Sequence, residues 1–82
     1  MKRNRYSSNE ETLRQLLRNH RLERGIRQED LAEMLNVHQS FVSKYESGER
    51  LLTFVETMGI CSALNLDPKT LIKEFIQYYE SE

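Results

Sequence analysis

Gln39, Ser40 and Lys44 are side chains that recognise rather than react, and they fall within one short stretch of helical spacing. A glutamine amide can offer a donor and an acceptor together to an adenine edge, a lysine can donate to guanine, and a serine hydroxyl can bond either. The same side chains on an exposed helix face also suit plain solvation, so their meaning depends on what surrounds them. Reactive chemistry has no comparable candidates. The sequence contains no paired carboxylates at working spacing, no nucleophile beside a base, no glycine-rich loop and no cluster with metal-ligand spacing. Cys61 stands alone, which suits a small apolar filler rather than a disulfide or an activated thiol. His20 falls on the inner side of the first expected helix, where a half-buried packing role is expected. No catalytic residue, metal or cofactor is therefore assigned, and an enzyme is the weakest functional class.

The elements that hold these residues must come from one small core, because 82 residues suffice for one domain only. With 38% hydrophobic and 30% charged residues, one proline and three glycines, the composition is that of an ordered helical domain. No apolar run would span a membrane, and the first residues lack the apolar stretch of a secretory signal, so a cytoplasmic location is expected. The net charge of −1 conceals an asymmetry. Residues 1–50 hold ten of the twelve Lys and Arg against eight acids, and residues 51–82 hold two against five. A basic front half and an acidic back half suit a partner with phosphates, although an ordinary mixed surface has the same sums.

Five helices can be punctuated. Ser8 with Glu11 reads as a capping box opening the first, followed by Leu13, Leu16, Leu17 and His20, and stopped by Gly25. Residues 1–7, with Lys2, Arg3 and Arg5, are then a flexible basic arm ahead of a domain over 8–82. The second helix spans Gln28 to Leu35, with Glu29 and Asp30 in its first turn and Leu31, Ala32 and Leu35 inward; Asn36 suits the tight turn beyond it. The third spans Gln39 to Ser47, burying Val42 and Tyr45 and ending at Gly48. Val37 and Val42 are expected to plug the angle between the second and third helices. Thr53 with Glu56 opens a fourth helix with an apolar stripe of Phe54, Val55, Met58, Cys61 and Leu64. Asp67 and Pro68 open a fifth, whose Leu71, Ile72, Phe75, Ile76, Tyr78 and Tyr79 cover more than one face. That surplus suggests self-association.

The run QEDLAEMLNVHQSFVSKYESGER, residues 28–50, with LRNHRLERG ahead of it, resembles the Cro/phage-repressor, or XRE-like, helix-turn-helix family. The resemblance covers roughly residues 13–66 and rests on Arg21, Gln28, Leu31, Ala32, Val37, Ser43, Glu46, Gly48 and Arg50 in order. It implies an all-α, five-helix, lambda-repressor-like domain with the helix-turn-helix at helices two and three. It places His38, Gln39, Ser40 and Lys44 at base edges in the major groove and Gln28 on a phosphate. Ser43 and Arg50 are suited to phosphates as well, and Arg21 with Glu46 matches a structural ion pair. Two positions depart from the pattern. Arg27 replaces the usual hydroxyl cap of the second helix and adds a cation for the backbone, and His38 stands where another hydroxyl is common. Phe41 suits either packing over the first helix or touching a thymine methyl.

The implied function is a sequence-specific transcriptional regulator, a homodimer through Ile72, Phe75, Ile76 and Tyr79 that binds a pseudo-palindrome in double-stranded DNA. No small-molecule ligand or membrane partner is expected. Autoregulation of the kind found in restriction-modification controller proteins or small prophage repressors follows from the small size. The competing class is an antitoxin or protein-interaction module that uses the apolar last helix to grip a protein partner.

Overall fold

In the computed structural model, which describes residues 5–80 and the side chains of 8–78, five helices follow in order: α1 Arg5–Glu23, α2 Gln28–Leu35, α3 Gln39–Ser47, α4 Phe54–Ala63 and α5 Pro68–Glu80. No strand occurs among the described residues. Helix α1 starts three residues ahead of Ser8, so the expected Ser8–Glu11 box is not its opening. Residues 5–7 contain no glycine or proline to stop the helix, and Thr12 donates its hydroxyl to the Ser8 carbonyl at 3.2 Å, a bond made inside a helix. Of the expected arm, residues 1–4 lie outside the described residues.

Every other boundary has a local cause. Gly25, at φ +67°, turns the chain out of α1. Arg27 has no acceptor for the free amides of α2, and half of a capping box is made from the other side: the Asp30 carboxylate accepts from the Arg27 backbone N–H at 3.0 Å. Asn36 closes α2 in the left-handed conformation, φ 59°, and the Val37 amide returns to the Ala32 carbonyl at 3.0 Å. Gly48, at φ +92°, does the same for α3. A side chain there would be strained by the backbone conformation, and its β-carbon would also make the flexible Arg14 guanidinium, 2.9 Å away, move aside. Thr53 and Glu56 form the full capping box of α4, at 3.0 and 2.9 Å. Asn65, φ 55°, ends the turn after α4, and the Asp67 carboxylate caps α5 through the Lys69 amide at 2.9 Å.

The helices close around Leu17, Leu31, Val42, Tyr45, Ile60, Cys61 and Leu64, all fully buried, with Leu16, Ala32, Leu66 and Leu71 beside them. Each such leucine or isoleucine contributes roughly 1.5–3 kcal/mol by leaving water. Small Ala32 lets α2 and α3 approach. Val42 fills the angle between them, but Val37 is 41% exposed and does not share that task. The end of α1 is tied to the middle of α5 by His20, whose Nε2 lies 2.7 Å from Glu74 Oε1, and Arg24 donates Nε to the Leu64 carbonyl at 2.7 Å. His20 is thus a half-buried packing residue with a specific partner.

The expected α4 stripe needs correction at its start. Phe54 and Val55 are 72% and 76% exposed, while Thr57, Ile60 and Cys61 turn inward. Beside them an apolar groove of about 240 Å³ runs between Leu13, Leu52, Met58, Leu71, Ile72 and Phe75. No described helix is long and apolar enough to cross a membrane.

Candidate nucleic-acid interface

Helix α3 is fixed at both ends and along one face, which leaves its other face free to project. At its start His38 is the cap: Nδ1 accepts from the Ser40 backbone N–H at 3.2 Å and lies 3.1 Å from the Ser40 hydroxyl. An imidazole with one nitrogen as acceptor carries its proton on the other, so Nε2 remains a donor directed away from the cap. At its end Gly48 returns the backbone, and the Glu49 amide reaches the Lys44 carbonyl at 2.9 Å. Val42 and Tyr45 anchor the inner face. Gln39, Ser40, Ser43 and Lys44 are exposed together on the outer one.

The clamp behind this helix is a buried ion pair. Arg21 on α1 donates Nε and Nη2 to the two oxygens of Glu46 at 2.7 and 2.9 Å, and Nη1 to the Ile26 carbonyl at 2.7 Å. A buried pair of this kind is weak as net stability but strongly directional, because removing either partner strands a charge. Gln28 also joins the clamp, donating Nε2 to Glu46 Oε1 at 2.9 Å. That amide is therefore half spent inside the protein, and the Gln28 side chain holds α2 against α3 whatever else it meets.

Arg27 and Arg50, two other residues expected at phosphates, are likewise engaged. Arg27 meets Asp30 at 3.1 Å and Glu29 at 2.7 Å; hydrogen bonding to Asp30 chiefly raises the guanidinium pKa and lowers that of the carboxyl. Arg50 donates to both oxygens of Glu56 at 2.9 and 2.8 Å and to the Leu51 carbonyl at 3.0 Å. This pair, helped by the Thr53 amide, holds the Glu56 carboxyl down at about 2. The Arg50 guanidinium also lies 4.7 Å over the Phe41 ring, which meets Tyr45 edge-on at 5.7 Å. Phe41 is thereby a packing residue joining α3 to the loop before α4. The Arg50 contacts with Glu56 and Phe41 span the loop between α3 and α4 and were not legible in the sequence, whereas the Arg27–Asp30 and Thr53–Glu56 contacts lie three residues apart.

Of the residues expected at a dimer face, Ile72 and Ile76 are exposed and Phe75 is half-buried against the core; the Tyr79 side chain lies outside the described ones. Phe54, expected inward from spacing, lines the apolar groove with Ile72 and Phe75, and Val55, expected inward too, is exposed. Among the described residues no cluster of His, Cys, Asp and Glu is gathered that could hold a metal ion.

Comparison with known proteins places this geometry. Residues 17–71 match the helix-turn-helix family model. An XRE-family-like protein from Pseudomonas syringae pv. tomato superposes with a TM-score of 0.84 at 36% identity, over 89% of each chain. The wild-type restriction-modification controller protein C.Esp1396I is similar at 26% identity and a TM-score of 0.79, over 84% of this chain and 88% of that one. A single-residue mutant of that controller gives 24% identity and 0.82, over 90% and 96%. No curated protein matches the sequence.

Proposed function

The chain belongs to the XRE-like helix-turn-helix family, and from that membership we propose that it is a sequence-specific DNA-binding transcriptional regulator acting as a homodimer. The observation that carries the reading is the exposed outer face of α3. Gln39, Ser40 and Lys44 stand there on a helix capped at both ends, with the buried Arg21–Glu46 pair behind them. A recognition helix needs this rigidity, because a bidentate contact to a base edge tolerates little angular play. His38 adds its Nε2 at the entrance to the helix.

Two copies related by a two-fold axis place two such helices about 34 Å apart, one turn of duplex. Exposed Phe54, Val55, Ile72 and Ile76 supply an apolar face for that contact. The likeness to a restriction-modification controller protein supports an autoregulatory role, with the concentration of the chain itself as input.

Gln39→Ala tests the reading. The variant should lose about 1–3 kcal/mol of preference for a selected site over random duplex while binding random duplex like the wild type. Equal losses on both would remove Gln39 from base readout.

A further inference from the structure

We propose that Arg18, on α1, is a DNA-phosphate contact, supplying backbone charge from a guanidinium that no carboxylate holds by a hydrogen bond. The inference rests on the DNA-binding reading above and follows from counting donors. Arg21 spends Nε and both terminal nitrogens on Glu46 and the Ile26 carbonyl. Arg27 is held by Glu29 and Asp30, and Arg50 by Glu56 and the Leu51 carbonyl. A guanidinium paired with a carboxylate must loosen that partner to serve a phosphate fully, a large cost for the buried Arg21 and a small one for the exposed Arg27 and Arg50.

Arg18 differs in position and in state. Its Nε is 3.9 Å from Glu46 Oε1, beyond hydrogen-bond length, and its side chain is 49% exposed, whereas that of Glu46 is 4% exposed. The single Glu46 carboxylate thus faces two guanidiniums, and Arg21 takes both of its oxygens at 2.7 and 2.9 Å. The cluster keeps one uncompensated positive charge, and Arg18 carries it toward solvent.

The place is also right. The oxygen that Arg18 approaches is the one that accepts from Gln28, the first residue of α2. Arg18 therefore lies where α1, the start of α2 and the end of α3 converge, beside Gln28, the residue expected at a phosphate of the bound strand. Glu46 works there as a mount: it draws the Nε side of the Arg18 guanidinium inward, beyond hydrogen-bond length, and leaves its terminal nitrogens unspent. A phosphate arriving at this corner gains a charge-assisted contact from Arg18 without breaking a hydrogen-bonded ion pair.

Binding to random-sequence duplex across a salt series tests this without knowledge of the operator. Arg18→Gln should reduce the steepness of log K against log salt by about 1 per protomer, with the melting temperature unchanged. Arg18→Lys should keep the wild-type slope, and Lys73→Gln, which removes the same charge from α5, should leave it intact. A wild-type slope in Arg18→Gln overturns the inference alone, and so does an equal reduction in Lys73→Gln, which would mean a diffuse field. A wild-type protein that binds no duplex at any salt overturns the DNA-binding reading and this inference together.

Discussion

Polar side chains in this protein divide into those consumed by the fold and those left over. Glu46 is fully consumed by Arg21 and Gln28, and Glu56 by Arg50 and Thr53. Tyr45 is an exception inside: its ring is buried in the core and its hydroxyl has no hydrogen-bond partner among the described residues. Burial, with the nearby Glu46 charge, pushes the phenol pKa far up, so the group stays neutral. A buried orphan hydroxyl costs free energy that a phenylalanine would not incur. Tyr45→Phe should therefore leave stability unchanged or raise it by up to about 1 kcal/mol in urea unfolding. A loss of more than that would show that the hydroxyl is bonded in solution. At this scale the sequence was partly legible. Gln39, Ser40 and Lys44 could be placed on an exposed face and Arg21 beside Glu46, because their positions follow from helical spacing and a known motif. The partners of Gln28 and Arg50 could not, since they depend on how loops bring side chains together.

Among the elements, α2 to α5 were legible from caps, because Asn36, Gly48, Thr53 and Asp67 each act within three residues of their own position. The start of α1 at Arg5 differs from the one its caps suggest for the same reason in reverse. A Ser-x-x-Glu signal marks a helix opening only when the residues before it leave the helix, and nothing upstream forces that. Asn65 was missed as a left-handed stop, although asparagine tolerates that conformation well.

The α3–α4 connection rests on the Arg50–Glu56 pair, and its pH dependence follows from the sign of the shift. The Glu56 carboxyl is depressed from 4.5 to about 2, chiefly by the Arg50 hydrogen bonds. Its stabilisation is thus complete above about 4.5 and is lost as the pH falls toward about 2. The stability gap between wild type and Glu56→Gln should be constant above that window and close within it. A gap that persists at the acid end would assign the loss to packing or capping instead.

At the scale of the whole molecule, the basic residues concentrate in the first half, while exposed apolar side chains occur on α4 and α5, at Phe54, Val55, Ile72 and Ile76, and also at Leu22, Met34 and Val37. Composition and the surplus on α5 pointed to an apolar face there, but α4 periodicity misassigned Phe54 and Val55, because an apolar residue at the mouth of a helix can face either way. Val55, at 76% exposed, offers the cleanest probe. Val55→Asp should give a monomer with unchanged helical content in sedimentation and circular dichroism. A monomeric wild type would instead make the face a site for another protein, as in an antitoxin.

The most direct measurement is a footprint of the purified protein on the DNA upstream of its own coding region, taken across a salt series. Protection of a pseudo-palindrome with half-sites about 34 Å apart, weakening steeply as salt rises, is the result expected of a dimeric α3 reader. Binding that is equally weak on every sequence, with no protected pair of half-sites, would contradict it.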